Sequence, residues 1–411
     1  MMQKRNMLIY FFGKLVPACS VLFIMVFGIR FLGKSEFGRY NLLFNCINIT
    51  VTFFVGWIQQ SMLRFNTGTS EELHHQRMQF IRYSQLSSLV CAASIFILSL
   101  LYFGESMLHS ALIGTFVFAL CMLTVHLTYQ QSQFHSIRYT LTESLYYLVT
   151  ILALGAVMYF SFPARMIYFY GAWFIAGMSW MIIEGFVENK NMIKSFRAVW
   201  DADFFRKTFR FGYLITSWLM ISNLFNVADR FIIRHYYNFE DVGVYSVVYD
   251  LIYRITAFAA MPVLLTLHPL IMKMWNENRR LESLSLIKKA VLILFLLLIA
   301  EMIGYLIFGN LIFEKLFHLD SSGLFVVMIP LIISSVLWQA ALFLHKPLEI
   351  LFRQKQMIIG IVISLASNII LNLIFIPRMG YQAAAYTTLA STLVYFIFVL
   401  AVTGSYKKIA A

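Results

Sequence analysis

Ionisable side chains lie inside strongly apolar stretches of this sequence, and their types and spacing are the ones that suggest chemistry. A charge at the centre of a bilayer costs roughly 2.5–3.5 kcal/mol on insertion scales, so residues of this kind usually serve a function. Asp250 and Arg254 are four residues apart and therefore share one face of a helix. In the first, seventh and eighth apolar stretches these residues are Lys14, Arg30, Asp229, Arg230, Arg234, Asp250 and Arg254.

Positive charges outnumber negative ones in the first, second, seventh and eighth apolar stretches. The cations there are Lys14, Arg30, Arg230, Arg234 and Arg254, against the anions Asp229 and Asp250, which leaves an excess of three positive charges. Arginine and lysine both bind phosphate groups well. The excess therefore predicts an anionic ligand such as a phosphate or a diphosphate.

The same residues also have a structural interpretation. Asp250 and Arg254 can neutralise each other and only fix the packing of helices. Arg30 lies near a helix end, from which its side chain can reach the outer headgroups, and Lys14 can extend inward in the same way. The sequence leaves both interpretations open, and the collective positive excess is a firmer indication than any single residue.

A stripe of asparagines adds polarity without charge to the second apolar stretch. Asn41, Asn45, Asn48 and Thr52 follow a 4-3-4 spacing, which puts them on one side of a helix. Such a stripe either lines a wet cavity or holds helices together through hydrogen bonds. We expect the cavity if the charged residues share the same face.

The elements that position these residues are membrane-spanning helices. Hydrophobic residues make up 60% of the 411 and charged residues 12%, about half of the roughly 25% typical of soluble domains. A spanning helix needs about 20 apolar residues. Such runs lie near 8–31, 40–63, 80–103, 108–130, 141–160, 165–187, 210–236, 243–274, 284–309, 322–345, 357–376 and 381–404. We therefore predict an all-α integral membrane protein with about twelve transmembrane helices.

The distribution of basic residues predicts how the chain is oriented. With twelve spans, 22 lysines and arginines lie on the side of the two termini and 8 lie on the other. Cytoplasmic loops carry this excess, so both termini are predicted in the cytoplasm. The basic, aromatic stretch 188–209 is expected to lie on anionic lipid of the inner leaflet. Because the basic residues are spread over short loops, the net charge of +13 does not indicate a nucleic-acid partner.

The two halves of the sequence repeat one another. Glu36, Gly38 and Tyr40 match Asp241, Gly243 and Tyr245 at a constant offset of 205. Six spans in each half make the repeats parallel, an architecture in which transporters place the substrate between the halves. We predict two six-helix lobes, 1–187 and 210–411, around a central cavity, joined by the basic linker 188–209.

Several short motifs along the whole chain resemble those of Wzx-type polysaccharide flippases, which include the O-antigen flippases. They are Glu36-Phe37-Gly38-Arg39-Tyr40, Asp229-Arg230, Asp241-Val242-Gly243-Val244-Tyr245, and Asn372 with Ile376-Pro377, Gly380 and Ala383-Ala384. Those flippases belong to the multidrug/oligosaccharidyl-lipid/polysaccharide (MOP) exporter superfamily.

The resemblance implies a cargo and a compartment. The cargo would be an oligosaccharide on a polyprenyl diphosphate, moved from the cytoplasmic to the outer leaflet of a bacterial inner membrane. Lys14, Arg230 and Arg254 would hold the diphosphate, while the asparagines of the stripe would meet sugar hydroxyls. The machinery that polymerises lipopolysaccharide O-antigen or related glycans is an expected partner. We expect no cofactor and no metal, because the sequence has no nucleotide-binding motif and no metal-ligand spacing.

Two other functions compete with this one. A drug or metabolite exporter of the same superfamily would carry mostly cations and should have a more apolar or acidic cavity, which the positive excess argues against. A membrane-embedded polymerase or acyltransferase would need a catalytic loop or domain, for which the short outward loops leave little room. The sequence therefore favours a protein that is not an enzyme.

Overall fold

The structure is a computed structural model that describes residues 13–66, 70–160, 162–163, 165–197, 200–277, 279–320, 323–351 and 353–410. Nearly all of these residues are helical, and none of them lies in a strand. The predicted all-α class is confirmed. The helices are α1 (Leu15–Phe65), α2 (Ser70–Leu101), α3 (Met107–Ser132), α4 (Ser136–Tyr159), α5 (Met166–Arg197), α6 (Ala202–Phe225), α7 (Ala228–Tyr236), α8 (Phe239–Asn276), α9 (Arg280–Asn310), α10 (Phe325–Leu344), α11 (Lys346–Ile350), α12 (Gln354–Met379) and α13 (Ala383–Ala410), with a π-helical turn, Leu311–Leu316, after α9.

Eleven helical stretches among the described residues are long and apolar enough to cross a membrane. One of them, α1, has 51 residues, and at 1.5 Å per residue it measures roughly 75 Å, more than twice the roughly 30 Å of a bilayer core. It is interrupted at Gly33, whose φ of 75° and ψ of 171° are not helical. Gly33 thus divides α1 into two lengths that each suffice for one crossing, and about twelve crossings result.

The described helices group into two compact units. Unit 1 comprises Met1–Phe27 and Leu43–Met220, and unit 2 comprises Gly28–Leu42 and Ile221–Ala411. The middle of α1 therefore belongs to unit 2, whereas the predicted first lobe, 1–187, included it. The predicted linker 188–209 falls within unit 1. The division into lobes by the sequence repeat stays a prediction.

In unit 2, the most buried helix is α10 and the most exposed long helix is α9. The small residues Ala290 and Ala340 bring α9 and α10 close together, and Leu294 and Val336 fill the contact. On the opposite face of α9, large apolar side chains such as that of Leu296 are exposed. Exposed apolar side chains are expected where lipid, not water, surrounds the protein.

Two glycines bring the middle of α1 against the start of α8. A Cβ atom added to Gly38 would lie 1.9 Å from the carbonyl oxygen of Phe239, and one added to Gly243 would lie 2.1 Å from that of Lys34. Backbone packs directly on backbone here, so neither position has space for a side chain. The pair is the one that the offset of 205 aligns, which means that repeat-related residues meet in unit 2.

The aromatic residues of the stretch 188–209 pack on protein. Phe205 lies 5.7 Å from Trp57 and 5.4 Å from Tyr83 between ring centroids, and Phe204 lies 5.4 Å from Phe80. The part of the predicted amphipathic segment that the structure describes is therefore held against α1 and α2, because its rings find aromatic partners there. Phe196 and the basic residues before it lie outside the described side chains.

Candidate functional site

A break in a helix positions the two central charged residues. The predicted span 210–236 is divided between α6, which ends at Phe225, and α7, which begins at Ala228. Asp229 and Arg230 therefore lie in the first turn of α7. The Arg230 backbone N–H donates to Asp229 Oδ1 at 2.8 Å, and a carboxylate at a helix N-terminus is favoured by the free N–H groups there.

Arg230, Asp250 and Asn41 form a closed hydrogen-bonded ring in unit 2. Arg230 Nη2 donates to Asp250 Oδ1 at 2.6 Å, and Arg230 Nη1 donates to Asn41 Oδ1 at 3.3 Å. Asn41 Nδ2 in turn donates to Asp250 Oδ2 at 3.1 Å. Arg230 is only 1% exposed, so its charge depends on these partners.

Tyrosines complete this arrangement, which we call the Arg230 cluster (Asn41, Asp229, Arg230, Tyr245, Tyr249 and Asp250). The Tyr245 hydroxyl donates to Asp229 Oδ2, and that oxygen also accepts from Thr388 at 3.5 Å. The Arg230 guanidinium lies 4.8 Å from the centre of the Tyr249 ring, a cation–π distance. The i, i+4 spacing of Tyr245, Tyr249 and Tyr253, which puts them on one face of a helix, is the sequence signal for these tyrosines.

The cluster does not carry the predicted positive excess. It contains one cation, Arg230, and two anions, Asp229 and Asp250. Arg254 adds a second cation nearby, which makes the group neutral overall. A buried arginine is retained only with carboxylate partners, which is why these four charges balance locally. The net-cationic chamber expected from the summed spans stays a prediction.

Arg254 differs from Arg230 in being exposed. It attracts Asp250 electrostatically, but no hydrogen bond or ion pair joins it to another described residue. The predicted Asp250–Arg254 pair is thus replaced by the Arg230–Asp250 pair. Arg254 is therefore an exposed cation beside the cluster, with a side chain open to a ligand.

Lys14 is held by Glu143, a carboxylate in the fifth predicted span that is not among the predicted site residues. Its Nζ donates to Glu143 Oε1 at 2.6 Å, to Glu143 Oε2 at 2.8 Å and to the Tyr139 hydroxyl at 2.8 Å. The Lys14 side chain is 32% exposed and that of Glu143 is 13% exposed. All three residues belong to unit 1. Glu143 cancels the charge of Lys14, so this lysine does not contribute to a free positive excess.

The remaining cations of the predicted set, Arg30 and Arg234, donate to backbone carbonyls at the ends of helical segments. Exposed Arg30 donates from Nε to the Leu316 carbonyl at 2.7 Å and from Nη2 to the Lys315 carbonyl, where the π-helical turn ends. Arg234 donates to the Tyr237 carbonyl at 3.1 Å. Carbonyls at a helix C-terminus lack partners, so arginines are favoured there. The structure does not bring these two arginines into hydrogen bonding with the Arg230 cluster.

The asparagine stripe is divided between the units. Asn41 belongs to unit 2 and joins the Arg230 cluster, whereas Asn45 and Asn48 belong to unit 1. Asn45 is half-buried and Asn48 is exposed. Of the predicted polar residues, the structure therefore brings together Asn41, Asp229, Arg230 and Asp250, with Arg254 beside them.

Comparisons with known proteins identify related sequences and folds. A family model described as "Polysaccharide biosynthesis protein" matches residues 4–275. No curated protein matches the chain significantly. Several solved structures share the fold at 12–15% sequence identity.

Three of these structures are two transporters and a flippase. An inward-facing multidrug resistance MATE family transporter of the MOP superfamily has a TM-score of 0.72 and 14% identity, over 95% of this chain and 96% of that one. The lipid II flippase MurJ, inward closed, has a TM-score of 0.70 and 15% identity, over 96% and 87%. A MOP superfamily transporter from Pyrococcus furiosus, described by the reversed polarity of its binding pocket, has a TM-score of 0.63 and 13% identity, over 99% and 96%. The TM-scores establish a shared fold, and identities this low establish nothing beyond the fold.

Proposed function

Because the chain belongs to the polysaccharide biosynthesis protein family and has the fold of MOP-superfamily transporters, we propose that it is a flippase for a lipid-linked oligosaccharide. The cargo is an oligosaccharide repeat unit on a polyprenyl diphosphate, moved by alternating access from the cytoplasmic to the outer leaflet for surface polysaccharide assembly. The observation that carries the proposal is the family match over residues 4–275, about two thirds of the chain.

Within unit 2, Arg254 is the residue we assign to the diphosphate. It is exposed, it has no direct partner among the described residues, and its guanidinium can bind two phosphate oxygens at once. Arg230 is buried and donates from its two Nη atoms to Asn41 and Asp250, so it acts by positioning these groups. Asn48, which is exposed in unit 1, is available for sugar hydroxyls.

The test is export in cells that lack the chromosomal copy of the gene. Arg254→Ala should abolish most surface polysaccharide and cause lipid-linked intermediates to accumulate, while the protein still inserts in the membrane at normal levels. Arg254→Lys keeps the charge and should retain part of the export. Arg206→Ala is the control. It removes an arginine of α6 that is also exposed but lies outside the proposed site, and it should have no effect. Full export by Arg254→Ala would contradict the assigned role.

Export of a cationic small molecule is the second candidate. The Arg230 cluster has one cation and two anions and is neutral only together with Arg254, which weakens the argument that favoured an anionic cargo over a cation. The MATE transporters also share the fold. Proteoliposomes distinguish the two functions. A flippase should translocate a fluorescent lipid-linked diphosphate oligosaccharide, and an exporter should move a cationic dye along an ion gradient.

The membrane context follows from the same proposal. We place the protein in the bacterial inner membrane with both termini in the cytoplasm, next to anionic inner-leaflet lipid and polysaccharide polymerase machinery. A reporter that is active only in the cytoplasm, fused after Ala411, should be active. Activity of a periplasm-specific reporter at that end would reverse the orientation.

A further inference from the structure

An apolar cavity lies between α8, α9 and the π-helical turn of unit 2, in a region that the proposed function does not use. Its volume is about 530 Å³, within the 300–1,000 Å³ typical of small-molecule sites. The lining is formed by ten residues, of which eight have purely apolar side chains or are glycine, among them Ile255, Leu297 and Phe308. The other two are Glu301 and Tyr305.

Each of these two lining residues has a buried oxygen without a hydrogen-bond partner among the described residues. Glu301 Oε2 accepts from the Thr256 hydroxyl at 2.9 Å, but Glu301 Oε1 is buried and has no hydrogen-bond partner among the described residues. The Tyr305 hydroxyl is likewise buried without a partner there, and the side chain is 4% exposed. Buried polar atoms are nearly always hydrogen-bonded, so two unpartnered (orphan) oxygens four residues apart on α9 suit a ligand group that can bond to both.

The chemistry of the two orphans limits what the ligand is. An ionised carboxylate only accepts hydrogen bonds, and a phenol can both donate and accept. Of the ten lining residues, Glu301 is the only charged one, so the cavity supplies no counterion. A cation would offset the cost of the carboxylate at membrane depth, whereas an anion would add to it.

We propose that this cavity binds an apolar amine, with its ammonium group between Glu301 Oε1 and the Tyr305 hydroxyl and its hydrocarbon body against Leu297 and Phe308. The ammonium group donates to both orphan oxygens, and the hydrocarbon displaces lipid or water from the rest of the cavity. This site is independent of the Arg230 cluster, and its ligand differs in charge from the phosphorylated cargo proposed above.

Gly304 offers a way to fill the cavity without touching either polar group. It lines the cavity, and a Cβ added there would have no atom within 4 Å. A leucine at this position should therefore occupy the space of the ligand and leave the helix intact. Gly155 of α4 is a matched control, since its Cβ would also meet open space, in the other unit.

Titration calorimetry of the purified full-length protein in detergent tests the site with three probes of one shape. These are 1-aminoadamantane, 1-adamantanol and 1-adamantanecarboxylate. The amine should bind saturably and the alcohol and the carboxylate much more weakly. Glu301→Gln should weaken amine binding about tenfold or more, and Tyr305→Phe about threefold. Gly304→Leu should abolish it.

Controls separate the site from general partitioning into micelles. Glu282→Gln removes an exposed carboxylate from the same helix and, like Gly155→Leu, should leave amine binding unchanged. Equal binding of all three probes, unchanged binding in Glu301→Gln and Gly304→Leu, or no saturable binding to the unaltered protein would each overturn the proposal. Because the readout is binding of a cation and not glycan export, its failure leaves the flippase proposal standing.

Discussion

Arg230 shows at the residue scale how a membrane protein keeps a buried charge. The guanidinium is among the largest side chains that unit 2 fully buries, and its Nε has no partner among the described residues. What stabilises it is the ring through Asp250 and Asn41 and the ring face of Tyr249. The sequence identified Asn41, Arg230 and Asp250 as functional candidates. It did not predict their pairing, since Asn41 is 189 residues away from Arg230.

Asp250→Asn should destabilise the protein strongly. It keeps the shape of the side chain but removes the carboxylate to which the buried Arg230 donates, which costs about 3–5 kcal/mol. The thermal unfolding midpoint in detergent should fall, and expression should drop. Arg254→Ala is the matched control, because it removes an exposed charge beside the same carboxylate. A midpoint unchanged in Asp250→Asn would show that Asp250 does not hold Arg230.

The contact between Lys14 and Glu143 predicts a rescue. Lys14→Met should reduce stability by about 2 kcal/mol, because it leaves a mostly buried carboxylate without its charge-assisted bonds. Adding Glu143→Gln should restore most of that loss, as judged by the unfolding midpoint. If the double variant also regains glycan export, Lys14 has a structural role. Export that stays lost in a stable double variant would support the role in diphosphate binding.

At the scale of the element, Asp201 defines the beginning of α6. Its Oδ1 accepts from the Phe204 backbone N–H at 2.8 Å, and its Oδ2 lies 3.1 Å from His75 Nε2. These bonds favour the ionised carboxylate, and they lower the pKa of Asp201 from its ordinary value. The cap therefore contributes its full stabilisation at any pH at which Asp201 is also ionised in the unfolded chain.

Asp201→Ala should cost about 1 kcal/mol, the usual value for a lost helix cap. Since the pKa is lowered in the folded protein, the difference between the variant and the unaltered protein should be constant above the ordinary carboxyl range. It should shrink as the pH falls through that range toward the lowered pKa. Asp203→Ala, two residues further on and 95% exposed, is the control. A difference that grows on acidification would contradict the assignment.

Sequence reasoning located the elements better than their interruptions. Hydropathy predicted a single span at 210–236, but the chain breaks between Phe225 and Ala228. An average over about 20 residues is insensitive to such a break, because apolar residues lie on both sides of it. Runs 8–31 and 40–63 were correctly separated, since Gly33 and the charges around it lower the hydropathy there.

Gly38→Ala should disrupt the contact between α1 and α8. The added methyl group would meet the backbone of Phe239, which cannot move aside as a side chain does. We expect a loss at the upper end of the roughly 1–3 kcal/mol typical of overpacking, measured by the unfolding midpoint. Gly155→Ala adds the same atom where nothing lies within 4 Å and should be neutral or slightly stabilising.

For the whole molecule, composition and periodicity were sufficient to predict the class of protein and the approximate number of crossings. The net charge of the site was harder to predict. Summing charges over predicted spans counted Lys14, Arg30 and Arg234 toward one site, whereas the structure gives each of them local partners. Charge balance in a membrane protein depends on which helices touch, and a sequence alone does not contain those contacts.

The glycine pair of unit 2 has an energetic signature of its own. Each of the two residues makes room for the backbone on which the other lies, so a single separation of α1 from α8 relieves both clashes. Once Gly38 has been replaced by alanine, replacing Gly243 as well should add little further loss. A double-mutant cycle would then show a large coupling free energy. The losses of stability at Gly38 and Gly243 would not add, although the two residues lie in different copies of the repeat.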